Sequence, residues 1–186
     1  MNHHHLSTCR TLLAAGLFLF SVALMAQQNT PPCAQPEAGQ FDFWLGSWEL
    51  TWPGGQGGTP EGQQGKGRNV IERILGSCVI QENFSRADSS YIGKSWSVYN
   101  PIRNLWQQTW VDNTGGYLVF TGEFKAGRME LCTAPFERNG KTFISRMVFH
   151  NIQENSFDWD WQRSADEGQS WQDLWNIRDE RMKDKG

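Results

Sequence analysis

Between residues 47 and 182, short runs of alternating apolar and polar positions are separated by clusters of turn-forming residues at even intervals. The runs are SWELTW, RNVIERIL, CVIQENF, KSWSVYN, NLWQQTW, GYLVFTGEF, RMELCT, KTFISRMVFH, SFDWDWQR and WQDLWNIRDERM. Several repeat with a period of two. Trp106, Trp110 and Asp112 share one face of NLWQQTWVD, while Phe157, Trp159 and Trp161 oppose Asp158 and Asp160 in SFDWDWQR. A period of two is that of a strand with one apolar face. The joints NPIRN, VDNTGG, KAG, ERNG, NIQEN and SADEGQS supply the Gly, Asn, Asp and Pro that tight turns require. Regular short strands of this kind point to a sandwich or barrel. About ten of them, joined mostly by hairpins, predict an all-β fold, a single antiparallel up-and-down barrel whose closure leaves no exposed edge.

Two segments depart from this rhythm. In QFDFWLGSW, Phe41, Trp44, Leu45 and Trp48 fall at i, i+3, i+4 and i+7, which predicts a short amphipathic helix laid across one end of the barrel. Pro36 and Glu37 suit its start and Gly46 its end; a strand running from Phe41 is the alternative. Residues 53–67, PGGQGGTPEGQQGKG, hold seven glycines in fifteen positions and are expected to form a flexible loop. That loop is either a plain insertion or a lid over one barrel mouth.

The N-terminus changes where this barrel is expected to work. A single positive side chain, Arg10, precedes the apolar run TLLAAGLFLFSVALM and the small residue Ala26, the three-part pattern of a secretory signal. The expected organisation is a signal peptide over 1–26, a linker over 27–40 and one barrel domain over 41–183. The protein is then periplasmic or secreted, without a stable membrane anchor after cleavage. Net charge is −3 with no basic run, which argues against nucleic acid as a partner. Cys33, Cys78 and Cys132 remain after the signal, so at most one internal bridge forms, Cys33–Cys78 or Cys78–Cys132. No cofactor or metal site is expected, since neither a C-x-x-C nor a His cluster is present beyond the signal.

SADEGQSW, residues 164–171, fits the S-x-D-x-G-x-x-W hairpin of sialidase propellers. A propeller would repeat it every 40–50 residues or so. One copy in a chain of this length reads as a turn. Glu72, Glu82, Asp112, Asp158 and Asp160 are candidate carboxylates without the spacing that would single out a pair. His150 lies beside a turn, where a solvated or capping role suits it.

Ten tryptophans are the compositional outlier. They either fill a barrel interior or line a cavity for a flat, greasy molecule. The residues assigned to such a cavity are Trp96, Trp106, Gln108, Trp110, Asp112, Arg146 and Trp159. The leading expectation is a non-enzymatic barrel that binds a small, largely apolar or aromatic ligand. The alternatives are a hydrolase or isomerase using Asp112 or Glu82 as base, and a filled barrel acting as an interaction module.

The ordered series CAQPEAGQFDFWLGSWEL, GRNVIERILGSCVIQENF, SVYNPIRNLWQQTWVDNTGGYLVFTG and SADEGQSWQDLW resembles a family of exported bacterial proteins of uncharacterised function with a lipocalin/calycin-like barrel. The resemblance covers residues 33–182. It implies the barrel, export and a Cys33–Cys78 bridge. From the lipocalin G-x-W pattern at Gly46-Ser47-Trp48, it also implies that Arg178 or Arg181 stacks on Trp48. It transfers no catalytic residue.

Overall fold

The computed structural model describes residues 33–183; the signal peptide expected over 1–26 and the start of the linker lie outside the described residues. Eleven strands follow in chain order. They are β1 (Gly46–Pro53), β2 (Gln64–Ile74), β3 (Val79–Arg86), β4 (Ile92–Asn100), β5 (Leu105–Asp112) and β6 (Tyr117–Lys125). The remainder are β7 (Arg128–Thr133), β8 (Phe136–Arg138), β9 (Lys141–Gln153), β10 (Ser156–Ser164) and β11 (Gln172–Arg181). Each strand of the barrel wall pairs antiparallel with its neighbours, and β11 returns to β1 through Trp48↔Arg181 and Leu50↔Asp179. The result is a closed up-and-down barrel of ten strands, as the hairpin spacing predicts. The short β8 continues β7 past Thr133-Ala134-Pro135 and pairs with the start of β9. Pro135 has no N–H to give a ladder, so the strand breaks there.

The amphipathic stripe at the N-terminus forms two 3-10 turns, Pro36–Gly39 and Asp42–Trp44, rather than a continuous helix. Trp48 lies beyond them, already in β1. The turns cap one end of the barrel. Phe41 is fully buried, its ring edge-on to Trp106 at 4.8 Å and to Phe149 at 5.3 Å. A Cys33–Cys78 disulfide ties the segment to the β2–β3 turn, with Cα atoms 5.2 Å apart. Arg73 adds a hydrogen bond to the Ala38 carbonyl and an ion pair with Asp42.

Gly46 makes the transition into β1 possible. Its φ of +115° disfavours any side chain, and a Cβ there would lie 2.6 Å from Arg181 Nη1. Arg181 uses that space to donate to the carbonyls of Leu45 and Phe43 and to stack on Trp48, 4.2 Å from the ring centroid. Arg178 points outward and pairs with Asp158 at 2.9 Å. The arginine on the G-x-W tryptophan is therefore Arg181.

At the other end, β1 runs to Pro53 and β2 begins at Gln64, so residues 64–67 belong to a strand and the loop is shorter than the composition suggests. The loop is tied down. Gln56 exchanges two hydrogen bonds with Asn176, Trp52 Nε1 donates to Thr59 Oγ1 at 2.8 Å, and Arg86 donates to the Gly57 carbonyl. Gly57 rests against the Trp175 ring, where a Cβ would lie 2.5 Å away.

SADEGQSW joins β10 to β11 as a turn. Ser164 Oγ accepts from the backbone N–H of Gly168 at 2.8 Å, and Asp166 accepts from Ser170 N–H at 2.9 Å. The Ser170 hydroxyl and backbone bonds hold the Asp166 carboxyl down at about 2.

Candidate functional site

The barrel interior is filled at the capped end and hollow above it. A cavity of about 160 Å³ lies among residues contributed by β1, β2, β3, β5, β6, β9, β10 and β11. Its apolar lining includes Phe84, Tyr91, Trp110, Trp159, Trp161 and Trp175. Trp44 forms its floor from the capping turns, and Leu118, more than one-third exposed, lies where it meets the surface.

Strand alternation explains the room. On β4 the inward positions are Gly93, Ser95 and Ser97, all small and buried, while Lys94 and Trp96 face out. The absence of a side chain at Gly93 admits the Trp110 ring, which a Cβ would strike. Opposite, Trp159 and Trp175 meet at right angles with centroids 6.0 Å apart. Four large indoles, Trp110, Trp159, Trp161 and Trp175, then stand around a gap that their rings do not fill.

The polar lining is acidic. Glu82, on β3, accepts from Asn69 Nδ2 at 2.7 Å and from Ser95 Oγ at 2.6 Å. Burial pushes its carboxyl up, against the opposing pull of those two bonds. Asp179, on β11, is 2% exposed, and no side chain among the described residues hydrogen-bonds its carboxyl. Burial first, then the charges of Glu82 and Asp158, push it well above the ordinary carboxylate range, with Arg178 pulling weakly the other way. The Asn69 Oδ1 atom is buried without a partner. Gln108 is occupied by donating to Ser97 Oγ at 2.8 Å. Among the described residues, no Lys, Arg or His lines the cavity.

Asp112 sits at the rim. Its carboxylate accepts from Trp110 Nε1 at 2.9 Å, from the Tyr91 hydroxyl at 3.0 Å, and from Thr114 and Gly116. Burial alone would raise it, but these bonds outweigh burial and hold it far below the ordinary range. The same contact, after burial, lifts the Tyr91 hydroxyl to about 12. Asp112 therefore orients two rings of the cavity wall, Trp110 and Tyr91.

Of the residues singled out from the sequence, Gln108, Trp110 and Trp159 line the cavity and Asp112 supports its rim. Trp106 is elsewhere, buried in the capped end with its Nε1 donating to Gln40 Oε1 at 3.0 Å. Trp96 and Arg146 stand on the outer wall. Trp96 faces out because its strand turns its small residues inward, and it donates to Gln81 at 3.1 Å. Arg146 alternates with inward Met147, so it stacks on Trp171 at 3.9 Å and pairs with Glu130 at 3.0 Å. Asp179 and Asn69 escaped sequence reasoning. The signal for Asp179 was its phase: Trp175, Ile177 and Asp179 continue one inward face of β11. His150 Nε2 lies 2.8 Å from Asp160 Oδ2 on the outside of the barrel.

Among known proteins, the chain matches no protein-family profile and no curated protein. A search of solved structures aligns it with a crystal structure of a protein of unknown function from the DUF3598 family of Nostoc punctiforme PCC 73102. The alignment has 9% identity over 80% of this chain and 100% of that one, with a TM-score of 0.25, a likeness too low to carry an argument.

Proposed function

We propose that this is an exported, non-enzymatic, calycin-like barrel that binds a small, largely aromatic molecule in its upper lumen. The observation that carries this is the cavity of about 160 Å³, walled by indole rings yet containing a buried carboxyl with no hydrogen-bond partner among the described residues. An apolar void of about 150 Å³ is large enough for benzene, so a one-ring ligand matches in size. Buried polar groups in native proteins are overwhelmingly satisfied, and Asp179 is left for something else to satisfy. A barrel packed solid, acting only as an interaction module, has no use for either feature.

Export is supported by the Cys33–Cys78 bridge, since such bridges persist in oxidising compartments. Kinship with calycins is supported by the stack of Arg181 on Trp48 at the G-x-W turn. A hydrolase or isomerase remains the second reading, with its base moved from Asp112 to Glu82 or Asp179, whose raised carboxyls suit acid–base work.

The test is native mass spectrometry of the protein purified from its own host, followed by titration of one-ring aromatics against tryptophan fluorescence. Retained mass or saturable quenching is expected. A bare mass with no quenching by any ligand would end this proposal.

A further inference from the structure

The lining of the cavity combines two carboxyl groups, Glu82 and Asp179, with aromatic rings and, among the described residues, no basic side chain. Buried carboxyls in proteins are normally paired with a cation or a metal. Here the nearest cation, Arg178, lies across the wall and is committed to Asp158 at 2.9 Å. Glu82 has two neutral donors, Asn69 and Ser95; Asp179, 2% exposed, has none among the described residues. Aromatic rings line the same space, and the face of such a ring attracts cations through its quadrupole. The two carboxyls and the orphaned Asn69 Oδ1 favour a positively charged donor, although Trp175 Nε1, also in the lining, is a buried donor without an acceptor among the described residues.

Resting on the cavity assignment made above, we propose that the ligand is a small organic ammonium, an arylalkyl primary amine of one ring. Its N–H groups bond Asp179 and Glu82, and its ring lies among Trp110, Trp159 and Trp161. A single such group supplies the missing donors to Asp179 and neutralises a site in which two carboxyls oppose each other.

The titratable groups that bear on this site are Glu82 on β3, Tyr91 before β4, Asp112 on β5 and Asp179 on β11, with Asp158 and Arg178 on the outer wall. In the empty barrel, burial favours the protonated forms of Glu82 and Asp179. Their raised values make the empty fold most stable below the ordinary carboxylate pKa, and that contribution fades as pH rises. An entering ammonium favours ionised carboxylates, so binding must release protons and strengthen as pH rises from the ordinary carboxylate range toward the raised values of these groups.

Isothermal titration calorimetry on the full chain distinguishes the possibilities, with benzylamine, benzyl alcohol and benzoate as probes. We expect benzylamine to bind roughly tenfold or more tighter than benzyl alcohol, with proton release visible as a buffer-dependent heat, and benzoate not to bind. Asp179→Asn should abolish the preference for the amine while keeping the affinity for the alcohol. Glu82→Gln provides a second variant with the same expected loss should Asp179→Asn fail to fold by circular dichroism. Equal affinity for amine and alcohol, or an unchanged preference in a folded variant, overturns the ammonium assignment but leaves an aromatic-binding cavity intact. Failure of all three probes to bind overturns both.

Discussion

At the capped end of the barrel, Phe41, Trp48 and Trp106 are buried to within 1% of completion, and the indole N–H groups of Trp48 and Trp106 have acceptors in Trp44 O and Gln40 Oε1. At the open end, Trp110, Trp159, Trp161 and Trp175 are equally bulky but surround empty volume and a carboxyl with no hydrogen-bond partner among the described residues. The residue type is the same; what differs is what they face. Trp48 and Trp106 meet phenylalanines and a capping segment, whereas Trp110 lies over the bare backbone of Gly93 and Trp159 meets the edge-on ring of Trp175 across the hollow. Close packing contributes stability and a half-filled lumen forgoes some of it. The contrast therefore separates a half of the molecule that holds the fold from a half available for binding.

The sharpest way to break that contrast is at the cap. Phe41→Ala removes a fully buried ring from a site with little freedom to collapse, and a loss of about 3–5 kcal/mol is expected in urea unfolding. Next is the bridge. Replacing Cys33 and Cys78 by serine frees a loop of 45 residues and should lower stability by about 2–4 kcal/mol. If the two ends are independent, ligand affinity in the folded variant should be unchanged. A parallel loss of affinity would mean that the cap also shapes the cavity floor through Trp44.

Gly93→Ala moves the attack to the open end. The new methyl group occupies the space of the Trp110 ring, so the ring must tilt and give up its bond to Asp112. Overpacking of this kind costs about 1–3 kcal/mol, less than the cap mutation. Its effect on binding should be the greater: quenching by an aromatic ligand is expected to disappear. Retained quenching would show that Trp110 is dispensable to the cavity.

The ten wall strands were legible in the sequence because a period of two, punctuated by turn residues, survives wherever one face is buried. The cavity was legible only in part. On β5 and β10 the aromatic residues and the inward face coincide, so Gln108, Trp110 and Trp159 could be placed. On β4 they do not: hydrophobicity points to Trp96, but the buried face is that of the small residues Gly93, Ser95 and Ser97. Arg146 misled in the same way, since its neighbour Met147 takes the inward position. Asp179 was hidden because an acidic residue in phase with Trp175 and Ile177 contradicts the apolar pattern that defines a core face. Buried charge breaks that pattern at functional sites by its nature.

Trp96→Ala carries the smallest expected effect and tests the assignment of inside and outside. Trp96 is 36% exposed and its one hydrogen bond, to Gln81, lies on the outer wall. Truncating it leaves the lumen and its polar lining untouched, so stability should change by no more than about 0.5 kcal/mol, the range of ordinary surface substitutions. Binding of an aromatic ligand should be unaffected, although one emitting indole is lost from the baseline. The comparison with Gly93→Ala, three residues earlier on the same strand, is then direct: a change on the inner face abolishes binding and a larger change on the outer face does nothing. Should Trp96→Ala weaken binding as much as Gly93→Ala, the inside–outside phase of β4 is wrong, and the hollow attributed to its small residues goes with it.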